Sequence, residues 1–348
     1  MAEIYKTFGA DDIVPGDVQT VSQPLWSEGM NPFSASYSAS AGIGFFTSST
    51  QVNSSGNYLV NVYHRNPATD PAAAIQFAIA YGHRKGSGSI GDASTIGQNI
   101  NDTPSRAIYS QYRNMLLPPT DSVFSFGSDN PDDIMVINIA RSRFRQKIDP
   151  GNWTLRLTSG SATGWTGSIN QFREFTDNSG ATDTPTVNQA GRVFNIMSGS
   201  NGTPVGTDVY GLFYPDAGIM VFDANKLKTK LSMPINSGSQ VQARNHISMS
   251  MAIRGASYFS ARSEEKITST HYFVRINNKQ YNFTNNPTFV SGSNGTFLHS
   301  SMLRNPSVYI TTIGMYDNSN RLVAVAKLSK PLLKSFNREA LIKVKLDY

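Results

Sequence analysis

No cysteine occurs among the 348 residues. That excludes a disulfide framework, a thiolate zinc site, an iron-sulfur cluster and a cysteine nucleophile, so stability has to come from packing. Charge is sparse as well, at 16% Asp, Glu, Lys and Arg. No run approaches the roughly 18 apolar residues of a membrane-spanning helix. The opening MAEIYKTFGADD lacks the charged-then-apolar pattern of a secretory leader, and the expectation is a chain made in the cytoplasm that meets no membrane.

Histidine is the next scarcity. The five present are His64, His83, His246, His271 and His299, and none stands at a spacing that puts two on one face, so no metal site is expected. His246 and His271 fall in strand-like runs. GHRKGSGSIGD (82–92) fails as a phosphate loop, because Lys85 precedes Gly86 and no helix opens there. Asp132/Asp133 and Glu264/Glu265 are adjacent pairs, and neighbours on a strand face opposite ways, so neither supplies a glycosidase's two carboxyls. Acidic residues break the aromatic and basic stretches FRQKIDPGNW and SYFSARSEEK, which argues against nucleic acid. No catalytic residue, cofactor or metal is expected, and the chain reads as a non-enzyme.

What is present is strand. YLVNVY (58–63), AIQFAIAY (74–81), DIMVINIAR (133–141), WTLRLT (153–158), GRVFNIMS (191–198), YGLFYPDAGIMVF (210–222), HISMSMAIR (246–254), THYFVRIN (270–277), KQYNFT (279–284), VYITTIGMY (308–316), RLVAVAKL (321–328) and ALIKVKLDY (340–348) all have strand length and patterning. One helix is expected over 104–117, capped by Thr103, opened by Pro104 and striped by Ile108, Tyr112, Met115 and Leu116. Shorter helical candidates are 223–229 and the piece from Lys330 to Phe336. The predicted class is mainly β: antiparallel, β-sandwich-like sub-domains with one short helix and long loops. The predicted division is an extended amino-terminal arm over 1–55, a β-rich domain over 56–235 and a second β-rich region over 236–348.

The loops at 82–102 and 159–191 are longer than compact domains usually carry. The second displays Trp165, Phe172 and Phe175, apolar groups suited to binding a neighbour. The positive charge gathers at the carboxyl end, where Arg321, Lys327, Lys330, Lys334, Arg338, Lys343 and Lys345 face only Glu339 and Asp347. The last strand alternates Leu341, Lys343, Lys345 and Asp347 with Ile342, Val344 and Leu346, so one side is buried and the other offers lysines that also guard an edge. Trp165, Phe172, Phe175, Lys327, Lys330, Lys343 and Lys345 are the candidate interface.

VYITTIGMYDNSNRLVAVAKLSKPLLKSF near the end, YGLFYPDAGIMVF in the middle, VINIARSRFRQKIDPGNWTLRL before it and the opening IYKTF together resemble virion structural proteins of contractile-tailed bacteriophages. The terminal element is similar to hairpins of baseplate and tail-fibre-anchoring proteins. The resemblance implies a tail baseplate or tail-attached subunit, located in the virion and bound to other virion proteins and to copies of itself. Neck, head-decoration and fibre-adaptor roles share these features. A second reading is a carbohydrate-binding host-recognition module using Trp165 beside Asn and Asp.

Overall fold

The computed structural model describes residues 5–26, 59–63, 71–89, 103–158, 172–181, 185–238, 244–256, 258–284, 286–292 and 294–348. Trp165, the 1–4 and 27–55 parts of the expected arm, and residues 90–102, 159–171 and 182–184 of the two long loops lie outside them.

In chain order come β1 (Ile13–Pro24), β2 (Leu59–Tyr63), β3 (Ile75–His83), α1 (Pro104–Leu116), β4 (Asp133–Ile139) and β5 (Lys147–Thr158). Then follow β6 (Phe172–Asp177), β7 (Thr186–Asn188), β8 (Gly191–Ser200), β9 (Thr203–Tyr214), β10 (Ile219–Asp223), α2 (Ala224–Leu231) and α3 (Asn245–Ala256). The last third holds β11 (Phe259–Ile276), the two-residue strands β12 (Val290–Ser291) and β13 (Thr296–Phe297), β14 (Val308–Tyr316), β15 (Leu322–Lys334) and β16 (Ala340–Asp347). Among the described residues strand outweighs helix by 51% to 15%, so the mainly β, antiparallel expectation holds.

By contacts the chain forms two units, residues 21–265 and residues 1–20 with 266–348. The division therefore falls after Glu265, whereas the pattern of turns put it after 235. The amino-terminal 1–20 belongs with the carboxyl-terminal third because β1 neighbours β11. β11 and β1 each contribute residues to both units.

Within residues 21–265 the strands run β11-β5-β6-β8-β9-β10-β4-β3-β2, every neighbouring pair antiparallel. The central strands are apolar on both faces, and alternation sorts their side chains into two layers. Phe77, Ile79, Met135, Ile137, Met220 and Phe222 pack with Leu227 and Leu231 of α2 and Met249, Ala252 and Ile253 of α3. Ala80, Ile134, Val136, Ile219 and Val221 pack with Ile108, Tyr109, Tyr112 and Leu116 of α1. Helices thus cover both faces of this sheet, which is why β4 and β10 read as unbroken hydrophobic runs.

The expected first helix is present, with Thr103 accepting from the Arg106 amide at 3.4 Å; Met115 faces solvent and Tyr109 takes its place in the stripe. α2 confirms the 223–229 candidate, its Asp223 carboxylate capping the Lys226 amide at 3.0 Å. Five expectations need correction. HISMSMAIR is helix α3: its odd-numbered Ile and Met residues mimic a strand, yet His246, Met249, Ser250, Ala252 and Ile253 are the residues buried in it, the spacing of one helical face. Lys330 to Phe336 is not helix; β15 continues to Lys334, and Pro331 falls where the pairing shifts register, so its missing N–H breaks no ladder. KQYNFT forms no strand, Tyr281 adopting a positive φ of 54° and Phe283 closing a ring cluster with Phe289 and Phe297. Finally, 159–191 is not wholly loop, since β6 and β7 lie in it, and the arm's residues 13–24 are strand β1.

Candidate interaction surface

The unit of residues 1–20 and 266–348 is built around β11, whose residues Ser269 to Ile276 pair with Asp347 to Ala340 of β16. The alternation read from the sequence is realised: Ala340, Ile342 and Val344 are buried, while Leu341, Lys343 and Lys345 are exposed. Beside this pair, Ile310 and Ile313 of β14 and Leu328 and Leu332 of β15 pack on Ile276, Ala340 and Ile342. Lys334, fully buried, is held by Asn278 O at 2.9 Å, Asn282 Oδ1 at 2.8 Å and Ser335 O at 3.3 Å. Three acceptors match its three donors, so it acts as a structural pin.

β14 and β15 pair only with each other, leaving both outer edges open among the described residues. Their turn is fixed by Asp317, whose carboxylate accepts from the Ser319 and Arg321 amides at 2.8 and 2.9 Å and from Arg321 Nε at 2.8 Å. These bonds, the Arg321 amide foremost, lower its pKa. Asn320 takes the left-handed φ of 59° that Asn tolerates. The outward side of the hairpin is apolar, with Tyr309 65%, Val323 68% and Val325 58% exposed. Lys327 and Lys330 stand on the same strand, both exposed. Lys343 lies 5.8 Å from the Phe273 ring and Lys345 bridges Asp347 at 3.0 Å.

β1 and the single turn of 3-10 helix before it, Ala10–Asp12, carry the opposite charge. Asp11 and Asp17 are exposed, as are Ile13, Val14 and Val18. Asp12 is tied locally, accepting from the Gly9 amide at 2.8 Å. Gly16 runs so near β11 that a Cβ there would meet Ser269 and His271, so the strand's far side is its open one.

The four lysines are therefore surface residues of one unit, and the aromatics belong to the other. Phe172 is 43% exposed on β6 under the Arg156 guanidinium, 4.6 Å away. Phe175 is corrected: it is wholly buried against Tyr210 and Phe222, with ring centroids 5.1 and 5.9 Å apart. Phe172 and Phe175 are three apart on one strand, hence on opposite faces.

The polar residues weighed for catalysis are engaged elsewhere. Asp132 bridges Arg84 and Lys85 at 2.5 and 2.7 Å. Asp133, buried, accepts from Ser237 Oγ at 2.7 Å, so the two carboxylates diverge as expected. Tyr81 sits among Asp133, Ser237 and Asn245, and burial, reinforced by the Asp133 charge, raises its pKa. His83 Nδ1 accepts from the Lys85 amide at 3.1 Å. His64 lies outside the described residues. Among those described, no group of three or more His, Asp or Glu converges on a common point.

His246 is different: it is buried in α3, and its Nε2 has no hydrogen-bond partner among the described residues. Burial, then the charge of Arg244, lowers its pKa to about 4. In the unfolded chain the ring protonates near pH 6.5, so between these values the unfolded state binds more protons and stability falls as pH drops. Urea unfolding at pH 7 and pH 5 should show His246→Gln losing about 2 kcal/mol less than the parent over that interval. Equal losses would show that the ring does not resist protonation.

Compared with known proteins, the chain matches no family, no curated protein and no solved structure.

Proposed function

We propose that this chain is a non-enzymatic structural subunit, of the virion tail or baseplate class its sequence resembles, that joins copies of itself through the open strands of its terminal unit. The observation that carries the reading is the β14–β15 hairpin, apolar on its outer side and unpaired along both edges. Long exposed apolar edges invite aggregation unless a partner covers them. Complementarity favours β1 of a neighbouring copy, with the turn before it, as that partner: Asp11 and Asp17 with Ile13 and Val18 on one side, Lys327 and Lys330 with Val323 and Val325 on the other. Joining two different surfaces in this way builds rings or stacks, the geometry of a repeated tail component.

Sedimentation velocity over a concentration series tests it. The parent should associate, and either Lys327→Glu with Lys330→Glu or Asp11→Lys with Asp17→Lys should weaken association about tenfold. Mixing the two altered chains should restore it, because the reversed β15 then meets a reversed β1. A parent that stays monomeric, or a mixture that does not recover, would overturn the proposal.

A further inference from the structure

Lys334 ends β15 within the unit of residues 1–20 and 266–348, fully buried and without an ion pair among the described residues. A buried ammonium held only by neutral carbonyls lacks the stabilisation that a carboxylate partner would give it. Burial lowers its pKa. Glu339, whose charge opposes that shift, is exposed and bridges Arg275 at 3.5 Å. A desolvated lysine amine is a nucleophile whenever it sheds its extra proton.

What that amine faces is a carboxamide. Asn282 is buried, and its Oδ1 lies 2.8 Å from Lys334 Nζ. With a C=O bond of about 1.23 Å, Nζ stands no more than about 4 Å from Cγ, close to the roughly 3–3.5 Å of an attacking pair. The carboxamide is held at its other end too, Nδ2 donating to Asn278 O at 2.7 Å. That same carbonyl accepts from Lys334 Nζ at 2.9 Å. One backbone oxygen thus touches both the nitrogen that would attack and the nitrogen that would leave, and a proton has to pass between those two. The preceding residue fixes the arrangement: Tyr281 takes a φ of 54° and is exposed, while Asn282 turns inward. A bulky residue in left-handed backbone is strained, and such strain persists where the surroundings impose it.

We propose that Lys334 and Asn282 join in an intrachain isopeptide bond. The neutral Nζ attacks Cγ, the Nζ–Cγ bond forms, the Cγ–Nδ2 bond breaks, and Nδ2 leaves as ammonia with a proton passed from Nζ. An amine and a primary amide become a secondary amide and ammonia, so the step needs no oxidant and no co-reactant. The link joins residues 52 apart in sequence and ties the 278–282 turn to the end of β15. In a chain without cysteine it does what a disulfide does elsewhere, restricting the unfolded state. It is independent of whether copies associate.

Mass spectrometry of the purified full chain, denatured before measurement, tests the proposal. The intact single chain should weigh one ammonia less than its sequence. A tryptic digest should contain a branched peptide holding both Asn282 and Lys334, uncut after Lys334. Lys334→Arg, which keeps the charge but offers no attacking amine, and Asn282→Ala should each restore the full sequence mass, and neither variant has to fold for that reading. A parent at full sequence mass and cleaved after Lys334, or an ammonia deficit that persists in either variant, would overturn the proposal.

Discussion

Phe175→Ala is expected to remove about 3–5 kcal/mol from the stability of the 21–265 unit. The side chain is enclosed by Tyr210 and Phe222 and sits on β6 opposite Leu155 of β5 and Ser198 of β8. Truncation would open a cavity at the point where three strands meet, and the surrounding sheet cannot collapse into it without breaking register. For a unit of this size the melting temperature should fall by roughly 6–20 °C. Phe172→Ala is the control: it forfeits an exposed stacking contact with Arg156, worth about 1 kcal/mol or less. Differential scanning calorimetry of both variants checks the pair. Similar small shifts would return Phe175 to the surface.

Removing residues 340–348 should have the larger consequence. β16 provides the pairing for Ser269 to Ile276, and its Ile342 and Val344 are buried. Burial of two such side chains contributes about 3–6 kcal/mol, and each strand hydrogen bond adds roughly 1 kcal/mol. Two side-chain links go with them, Ser269 Oγ to Asp347 Oδ1 at 2.7 Å and Thr270 Oγ1 to the Tyr348 hydroxyl at 2.9 Å. Domains hold only about 5–15 kcal/mol in total, so the terminal unit should lose cooperative folding while the other keeps it. Hydrogen exchange should show 266–339 unprotected and the central strands of 75–223 protected. Retained protection in 266–339 would mean that β11 and the hairpin stand without their last partner.

These two residues groups also show where sequence was legible. The alternation of 340–347 needs one face buried and one face wet, and such a strand announces itself. Thr103 and Pro104 mark a helix start through local chemistry, and Asp317 to Asn320 mark a turn in the same way. Phe175 reads as loop display because its strand, β6, is short and embedded in polar sequence. HISMSMAIR fits both periods, and only the sheet face awaiting coverage decides for helix. The pairing of β1 with β11 joins segments some 250 residues apart, which no local pattern carries.

The discontinuity of the terminal unit has a consequence for synthesis. Residues 21–265 leave the ribosome as an unbroken stretch and have all their strands available to fold during translation. The other unit cannot close until β16 has been made, because β16 pairs with β11 and comes long after β1 in the chain. Until β11 has been made, β1, with its exposed apolar side chains, has no native neighbour. If copies join through those strands as proposed above, this order withholds the finished joining surface until β16 has been made, so nascent chains do not couple prematurely.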